Sequence, residues 1–279
     1  MAGLPVKTQA RFDRLKGMER GSGSVLLSSA TYGKAAREAT DGQFEFLCSL
    51  LRSERDLRVA NRIARLRRQA GFPFTKDFGG FSREGVEFPA DFSRGEMLAC
   101  GFVDRKENVV LYGGSGNGKA RTAVALGLIA CGQGKRVAFK ETSKLILELN
   151  AAHREGRLKQ KLDALEKRDL VILDEWGYLP CDPDGAKLLF RVISLCYEKI
   201  SLLFTTNIDF SRWGAIFSDS DMAHAMPGRV IHHGRLVTYD RESHRMRNSL
   251  MRAEPDAQQG AKTLRTIPRG TVMICEKFQ

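Results

Sequence analysis

The sequence predicts an α/β fold, a mostly parallel sheet with helices on both faces, and three observations predict it. A short apolar run at 109–112 leads directly into a glycine-rich turn, Gly113-Gly114-Ser115-Gly116-Asn117-Gly118-Lys119. A second apolar run at 170–173 ends in the acidic pair Asp174-Glu175. Strand-like segments near 109–112, 136–140, 170–174 and 201–206 alternate with segments of helical periodicity, the order that builds parallel strands joined by crossover helices.

The turn matches the phosphate-binding pattern Gly-x4-Gly-Lys-[Ser/Thr] from Gly113 through Lys119. Small residues let backbone N–H groups close round a polyphosphate, and the lysine reaches its terminal phosphates. The apolar helix expected at 122–131 would point its N-terminus at that ligand. Position 120 breaks the pattern. Ala120 has no oxygen for the Mg²⁺ that bridges the phosphates, and Thr122, two residues on and so about 200° round the helix, is not placed to replace it. Nucleotide binding is well signalled, with ATP and Mg²⁺ the expected cofactors; efficient hydrolysis is not. Slow turnover with a water in the coordination site and binding without turnover both fit.

In the second run, Asp174 is the expected Mg²⁺ ligand, directly or through water, and Glu175 the group that activates or orients an attacking water. The strand at 201–206 ends in Asn207, which can sense the terminal phosphate or position that water by hydrogen bonding.

At 279 residues the chain has room for one nucleotide-hydrolysing domain and a smaller appendage. A net charge of +12 points to a polyanionic partner, most readily nucleic acid. Within 17 residues, Arg52, Arg55, Arg58, Arg62, Arg65, Arg67 and Arg68 face only Glu54 and Asp56. Leu51, Leu57, Ala60, Ile63, Ala64 and Leu66 are interleaved at roughly helical spacing, so an amphipathic helix with a strongly basic face is expected, suited to DNA phosphates or else a solvated charged helix packed on its own nucleotide-binding domain. Nothing resembles a recognition helix or zinc finger, so base readout is not indicated.

Six scattered cysteines, with no Cys-x-x-Cys pair, fit a reducing cytoplasm better than disulfides or zinc. His232 and His233 are neighbours, expected to project in different directions and to make a poor metal site. Trp176 and Trp213 are expected to pack rather than to stack on bases. The N-terminal stretch is too charged for a signal peptide, and no apolar run approaches the ~20 residues that span a bilayer.

The expected organisation is a flexible basic leader over 1–30, a helical region and linker over 31–94 that binds DNA or mediates oligomerisation, the nucleotide-binding domain over 95–250, and a polar tail over 251–279 with a short strand at 271–275. The linker is aromatic but broken by Gly and Pro from about residue 71.

These residues together resemble the IstB-type transposition helper ATPases, relatives of the bacterial helicase loaders in the AAA+ superfamily. The resemblance covers roughly residues 40–250 and rests on Asp174-Glu175-Trp176-Gly177-Tyr178-Leu179-Pro180, Gly185-Ala186-Lys187-Leu188-Leu189-Phe190, Thr205-Thr206-Asn207, Trp213-Gly214 with Phe217, and Glu242-Ser243-His244-Arg245-Met246-Arg247. It implies a P-loop NTPase of the AAA+ type, a three-layer sandwich preceded by a small helical N-terminal region. It also implies that Arg229 is presented to the nucleotide of a neighbouring subunit in a homo-oligomer, that Arg245 contacts the phosphates as a second sensor with Arg247 as the competing candidate, and that the partners are double-stranded DNA and a transposase.

Overall fold

One six-stranded sheet separates two hydrophobic clusters, and a third cluster sits at the far end of a 30-residue helix. The computed structural model describes residues 5–18, 27–74, 85–177, 182–217, 228–230 and 232–240. In chain order the elements are α1 (Val6–Gly17), α2 (Ser29–Glu38), α3 (Asp41–Ala70), β1 (Val86–Glu87), α4 (Arg94–Leu98), α5 (Gly101–Asp104), β2 (Asn108–Gly113), α6 (Lys119–Gly132), β3 (Val137–Glu141), α7 (Thr142–Arg154), α8 (Leu158–Glu166), β4 (Leu170–Asp174), α9 (Pro183–Cys196), β5 (Ser201–Thr206), a 3-10 turn (Phe210–Ile216) and β6 (Gly234–Tyr239).

The strand order is β1-β6-β2-β5-β4-β3, parallel throughout except for β1 against β6. Strands buried on both faces read as continuous apolar runs, and alternate residues feed opposite layers. Val109, Leu111, Val137, Phe139, Leu170, Ile172 and Leu203 join one cluster, with α4, α5, α6 and the end of α3. Val110, Ala138, Val171, Leu173, Leu202 and Phe204 join the other, with α7, α8 and α9. This is the expected three-layer sandwich, a P-loop fold of the AAA+ type. Strand β6 escaped the sequence reading because only Val237 and Tyr239 of its six residues are buried, which leaves no apolar run to detect. The two-residue β1 carries no periodicity at all.

The N-terminal region departs from expectation in two ways. Part of the anticipated flexible leader is helix α1, whose Leu15 packs with Met18, Tyr32, Phe44, Cys48 and Leu51 in a small core of its own. Arg11 reinforces it, donating to the carbonyl of Ala39 at 2.8 Å and lying 4.7 Å over the Phe44 ring. Second, α3 is not an ordinary amphipathic helix. A Thr40–Gln43 capping box starts it, Leu51 closes its contact with the N-terminal core, Leu66 and Ala70 dock on the nucleotide-binding domain, and between Leu51 and Leu66 no residue is buried. Of the apolar residues interleaved with the arginines, Leu57, Ala60 and Ala64 are exposed. The helix is long enough to bridge two packed bodies, and its middle turns are only partly covered, with Arg62 lying close to Gly134.

The expected strand at 271–275, the Gly21-Ser22-Gly23-Ser24 stretch and the tail from 251 lie outside the described residues. Among the described residues no helix is long and apolar enough to cross a membrane. Cys48, Cys100, Cys131 and Cys196 are buried free thiols, and burial pushes Cys100 and Cys131 up to about 11.

Gly127 lets the segment after α3 close over α6. A Cβ there would meet the Phe72 ring at 2.6 Å and Ile172 Cδ1 at 2.9 Å. Gly127→Val is expected to destabilise the protein by about 1–3 kcal/mol through overpacking, read as a lower midpoint in denaturant unfolding.

Candidate nucleotide-binding site

The loop between β2 and α6 is shaped by a carbonyl that sequence reading did not identify. Gly113 has φ 148°, and a Cβ on it would lie 2.3 Å from the Tyr239 carbonyl oxygen. Only glycine fits that approach. The buried Asn117 donates from Nδ2 to the same oxygen at 3.2 Å, so the last residue of β6 backs both ends of the turn. Gly118, at φ 90°, starts α6. Gly114 and Ser115 are exposed at the tip, and Gly116 is half-buried. Lys119 Nζ donates to the carbonyls of Gly113 and Gly114, each at 2.6 Å, which holds its charge across the mouth of the loop. The Thr122 hydroxyl is fully buried and donates to Gly118 O at 3.1 Å within its own helix. It is not free to stand in for the oxygen that Ala120 lacks.

Parallel pairing brings the other groups to the same edge. Tyr112 pairs with Thr206, Leu173 with Phe204, and Asp174 with Glu141, so the C-terminal ends of β2, β5, β4 and β3 are level, with neighbouring strands ~4.8 Å apart. Such an edge is where open α/β sheets bind ligands. Burial raises the Asp174 pKa and the negative Glu141 adds to it, while the Thr205 hydroxyl, the Glu175 N–H and the positive charge of Lys119 act the other way. Thr205 Oγ1 donates to Asp174 Oδ1 and accepts from the Glu175 N–H at 3.0 Å. Thr142 Oγ1 donates to the Asp174 carbonyl at 2.8 Å.

Glu175 is exposed and sits at φ 57°, a left-handed conformation uncommon for a residue with a side chain. Such strain costs on the order of 1–3 kcal/mol and persists where the surroundings fix it. Here they do. The Trp176 N–H donates to Thr205 O at 2.8 Å and Thr206 Oγ1 donates to Trp176 O at 2.9 Å. The Trp176 ring is wholly buried against Phe204, Trp213 and Phe217 at centroid separations of 5.1, 5.4 and 6.4 Å. Both tryptophans therefore pack, as expected, and one of them fixes the acid beside it. Asn207 is exposed immediately beyond β5, between the phosphate loop and Asp174.

The structure thus gathers Lys119, Asp174, Glu175 and Asn207, and adds Thr205, Thr142 and Glu141. The available signal for Thr205 was two hydroxyls closing an otherwise apolar strand. For ATP, the loop N–H groups and Lys119 are the groups suited to hold the phosphates. For Mg²⁺, the half-buried carboxylate of Asp174 suits an ion that keeps most of its waters.

Arg229 lies elsewhere. It donates to Ser194 Oγ and sits 4.7 Å over the Phe190 ring, both on α9. The next residue's carbonyl accepts from Asn108 Nδ2 at 3.2 Å, at the entry end of β2, about 16 Å of strand from Gly113. His232 and His233, expected to diverge, meet with Nδ1···Nε2 at 2.9 Å, because residues 232–233 form a turn rather than a regular element. Arg245, Arg247 and Tyr178-Leu179-Pro180 lie outside the described residues. The seven arginines of α3 are remote from the phosphate loop in sequence and on a different element. Arg55 pairs with Asp56 at 2.8 Å and Arg58 with Glu54 at 2.6 Å; Arg52, Arg62, Arg65, Arg67 and Arg68 have no ion-pair partner among the described residues.

Fold and site together define a P-loop nucleotide-binding protein of the AAA+ type. The chain belongs to the IstB-like ATP binding protein family, whose profile matches residues 23–252. It is similar to the ATP-binding protein of insertion sequence IS5376 from Geobacillus stearothermophilus, 34% identical over 77% of this chain and 86% of that protein. It is also similar to that of insertion sequence IS21 from Pseudomonas aeruginosa, 36% identical over 73% of this chain and 77% of that one. Among solved structures, the DnaC helicase loader aligns with 53% of this chain and 89% of its own at 21% identity and a TM-score of 0.45.

Asp174→Asn is expected to stabilise the protein at neutral pH while removing the metal ligand. The carboxyl pKa is higher folded than unfolded, so the group's favourable contribution is complete below the unfolded value and is lost as pH rises through the folded one. The melting temperatures of variant and parent should coincide in acid and separate as pH rises through the raised pKa of Asp174.

Proposed function

We propose that the chain is an ATP-dependent, DNA-binding helper of transposition that assembles on double-stranded DNA and recruits or stimulates a transposase, with ATP hydrolysis as the assembly switch. The observation that carries this reading is the division of the site across the sheet. Lys119, Asp174, Glu175 and Asn207 share one edge, whereas Arg229 is at the other and cannot reach its own subunit's phosphates. An arginine so placed serves a nucleotide only in trans, which makes ATP a bond between subunits. The names of the relatives, ATP-binding proteins of insertion sequences, support the transposition setting.

In this mechanism Lys119 and the loop would hold the β- and γ-phosphates, Asp174 would hold Mg²⁺, whose charge would offset that of the phosphates, and Glu175 would align the water that Asn207 helps to position. A neighbour's Arg229 leaves Ser194 to offset charge developing on the transferred phosphate. Loss of the γ-phosphate loosens the subunit contact. The arginines of α3 supply sequence-independent phosphate contacts. Ala120, with the Thr122 hydroxyl committed to Gly118, favours a second reading, a nucleotide-gated adaptor or loader that turns ATP over weakly or not at all.

The deciding experiment is ATP turnover by the purified protein with Mg²⁺, with and without double-stranded DNA, against Lys119→Ala as blank. DNA-stimulated turnover above the blank is expected; ATP binding with turnover equal to the blank would favour the adaptor. Ala120→Thr should raise the rate. Replacing Arg55, Arg58, Arg62 and Arg65 together by alanine should weaken binding to any DNA sequence alike and flatten the log–log salt dependence by up to about 3–4, roughly 0.9 for each DNA phosphate that is no longer neutralised.

A further inference from the structure

The exposed middle of α3 carries a second pattern besides its arginines. Phe46, Leu50, Ser53, Leu57, Ala60 and Ala64 follow one another at alternating intervals of four and three residues, and all six are exposed. Phe46 is 71%, Leu50 55% and Leu57 58% accessible. At about 100° per residue they fall on one stripe roughly 80° wide. Intervals of four and three are the seam of a two-stranded coiled coil. Polar Gln43 and Arg67 occupy the next seam positions at either end.

We propose that this stripe is a dimer interface in which α3 pairs antiparallel with α3 of a second copy of the chain. Size complementarity selects that partner and that direction. With a two-fold axis at the level of Arg55, Phe46 faces Ala64 of the partner subunit, Leu50 faces Ala60 of the partner subunit and Ser53 faces Leu57 of the partner subunit. Each layer joins one large and one small side chain, so the layers have nearly constant volume, as close packing requires. A parallel, in-register pair would stack Phe46 on itself and Ala64 on itself. The surface is self-complementary under a two-fold, the requirement for an isologous dimer.

The rest of the molecule leaves room for it. Phe44, Cys48, Leu51 and Leu66, which pack on the N-terminal core and the nucleotide-binding domain, project on the side of α3 opposite the stripe. Arg55, Arg58, Arg62 and Arg65 lie about 100–180° round from the stripe, toward the side that carries the core contacts, so pairing through the stripe does not bury them. The acids that flank the seam at its centre, Glu54 and Asp56, are neutralised by Arg58 and Arg55 of their own helix, which limits like-charge repulsion across the axis. A seam about 28 Å long with three large anchors per copy is small beside a standard stable interface of about 1,600 Å², so weak, reversible self-association is expected.

This contact deepens the self-association in the proposed function but uses no nucleotide, so it is tested without ATP. Sedimentation of the full chain in nucleotide-free buffer should show a monomer–dimer equilibrium that Leu50→Glu with Leu57→Glu weakens at least tenfold, with unchanged far-UV circular dichroism, and that Arg229→Ala leaves unchanged. Direction is read by cross-linking in a background with Cys181 and Cys275 replaced by serine. Ser53→Cys protein mixed with Leu57→Cys protein should form a disulfide-linked heterodimer, and neither alone should cross-link efficiently. A monomer at every concentration, an equilibrium unmoved by the glutamates, or cross-linking of each single variant to itself would overturn the proposal. None of these results bears on the ATP-dependent contact through Arg229.

Discussion

The candidate site depends on one hydroxyl. Thr205, at the end of the strand that lies between the phosphate loop and the acidic pair, gives its proton to Asp174 and takes one from the Glu175 backbone. The first contact holds a carboxylate whose burial disfavours ionisation; the second fixes the turn that puts Glu175 in a left-handed conformation. Without that pair of bonds the two acids would have no common frame, and their relation to Lys119 would be lost. The aromatic group round Trp176 serves the same end from below, as a rigid floor under a strained turn.

The three-layer architecture was legible because parallel strands buried on both faces leave unbroken apolar runs, as in 170–173 and 201–204, and because the phosphate loop advertises the strand before it and the helix after it. Strand β6 was not legible: only two of its six residues are buried, and Arg235 and Thr238 interrupt any apolar run. Its importance lies in a backbone carbonyl, to which any residue type contributes equally. Thr205 was visible as a residue but not as a role, since a hydroxyl declares its partners only when a neighbouring strand is in register. The arginine run on α3 is helical, as its spacing predicts. Its apolar residues are not all inward, because periodicity shows that residues share a face without saying whether anything covers it.

Helix α3 explains why that distinction matters. Its two ends are anchored in different cores, and between Leu51 and Leu66 no side chain is fully buried, so the middle turns are less constrained by packing. One side holds guanidinium groups and the other holds apolar surface, and both are more useful to a protein that assembles on a polyanion than to one that acts alone. A pair of such helices would present two basic faces with a fixed separation, and two weak contacts to one DNA molecule reinforce each other through effective concentration.

The contact between Gly113 and Tyr239 joins residues 122 or more positions apart. The phosphate loop is complete in sequence early in the chain, yet the carbonyl that shapes it belongs to the last described strand. During synthesis, a nascent chain that has already laid down β2 through β5 has the whole loop and Lys119 and no backing for the turn. Closing such a distant contact is entropically late. Nucleotide competence is therefore among the final events of folding, and ATP, which recognises only the finished loop, stabilises the complete chain over its shorter precursors.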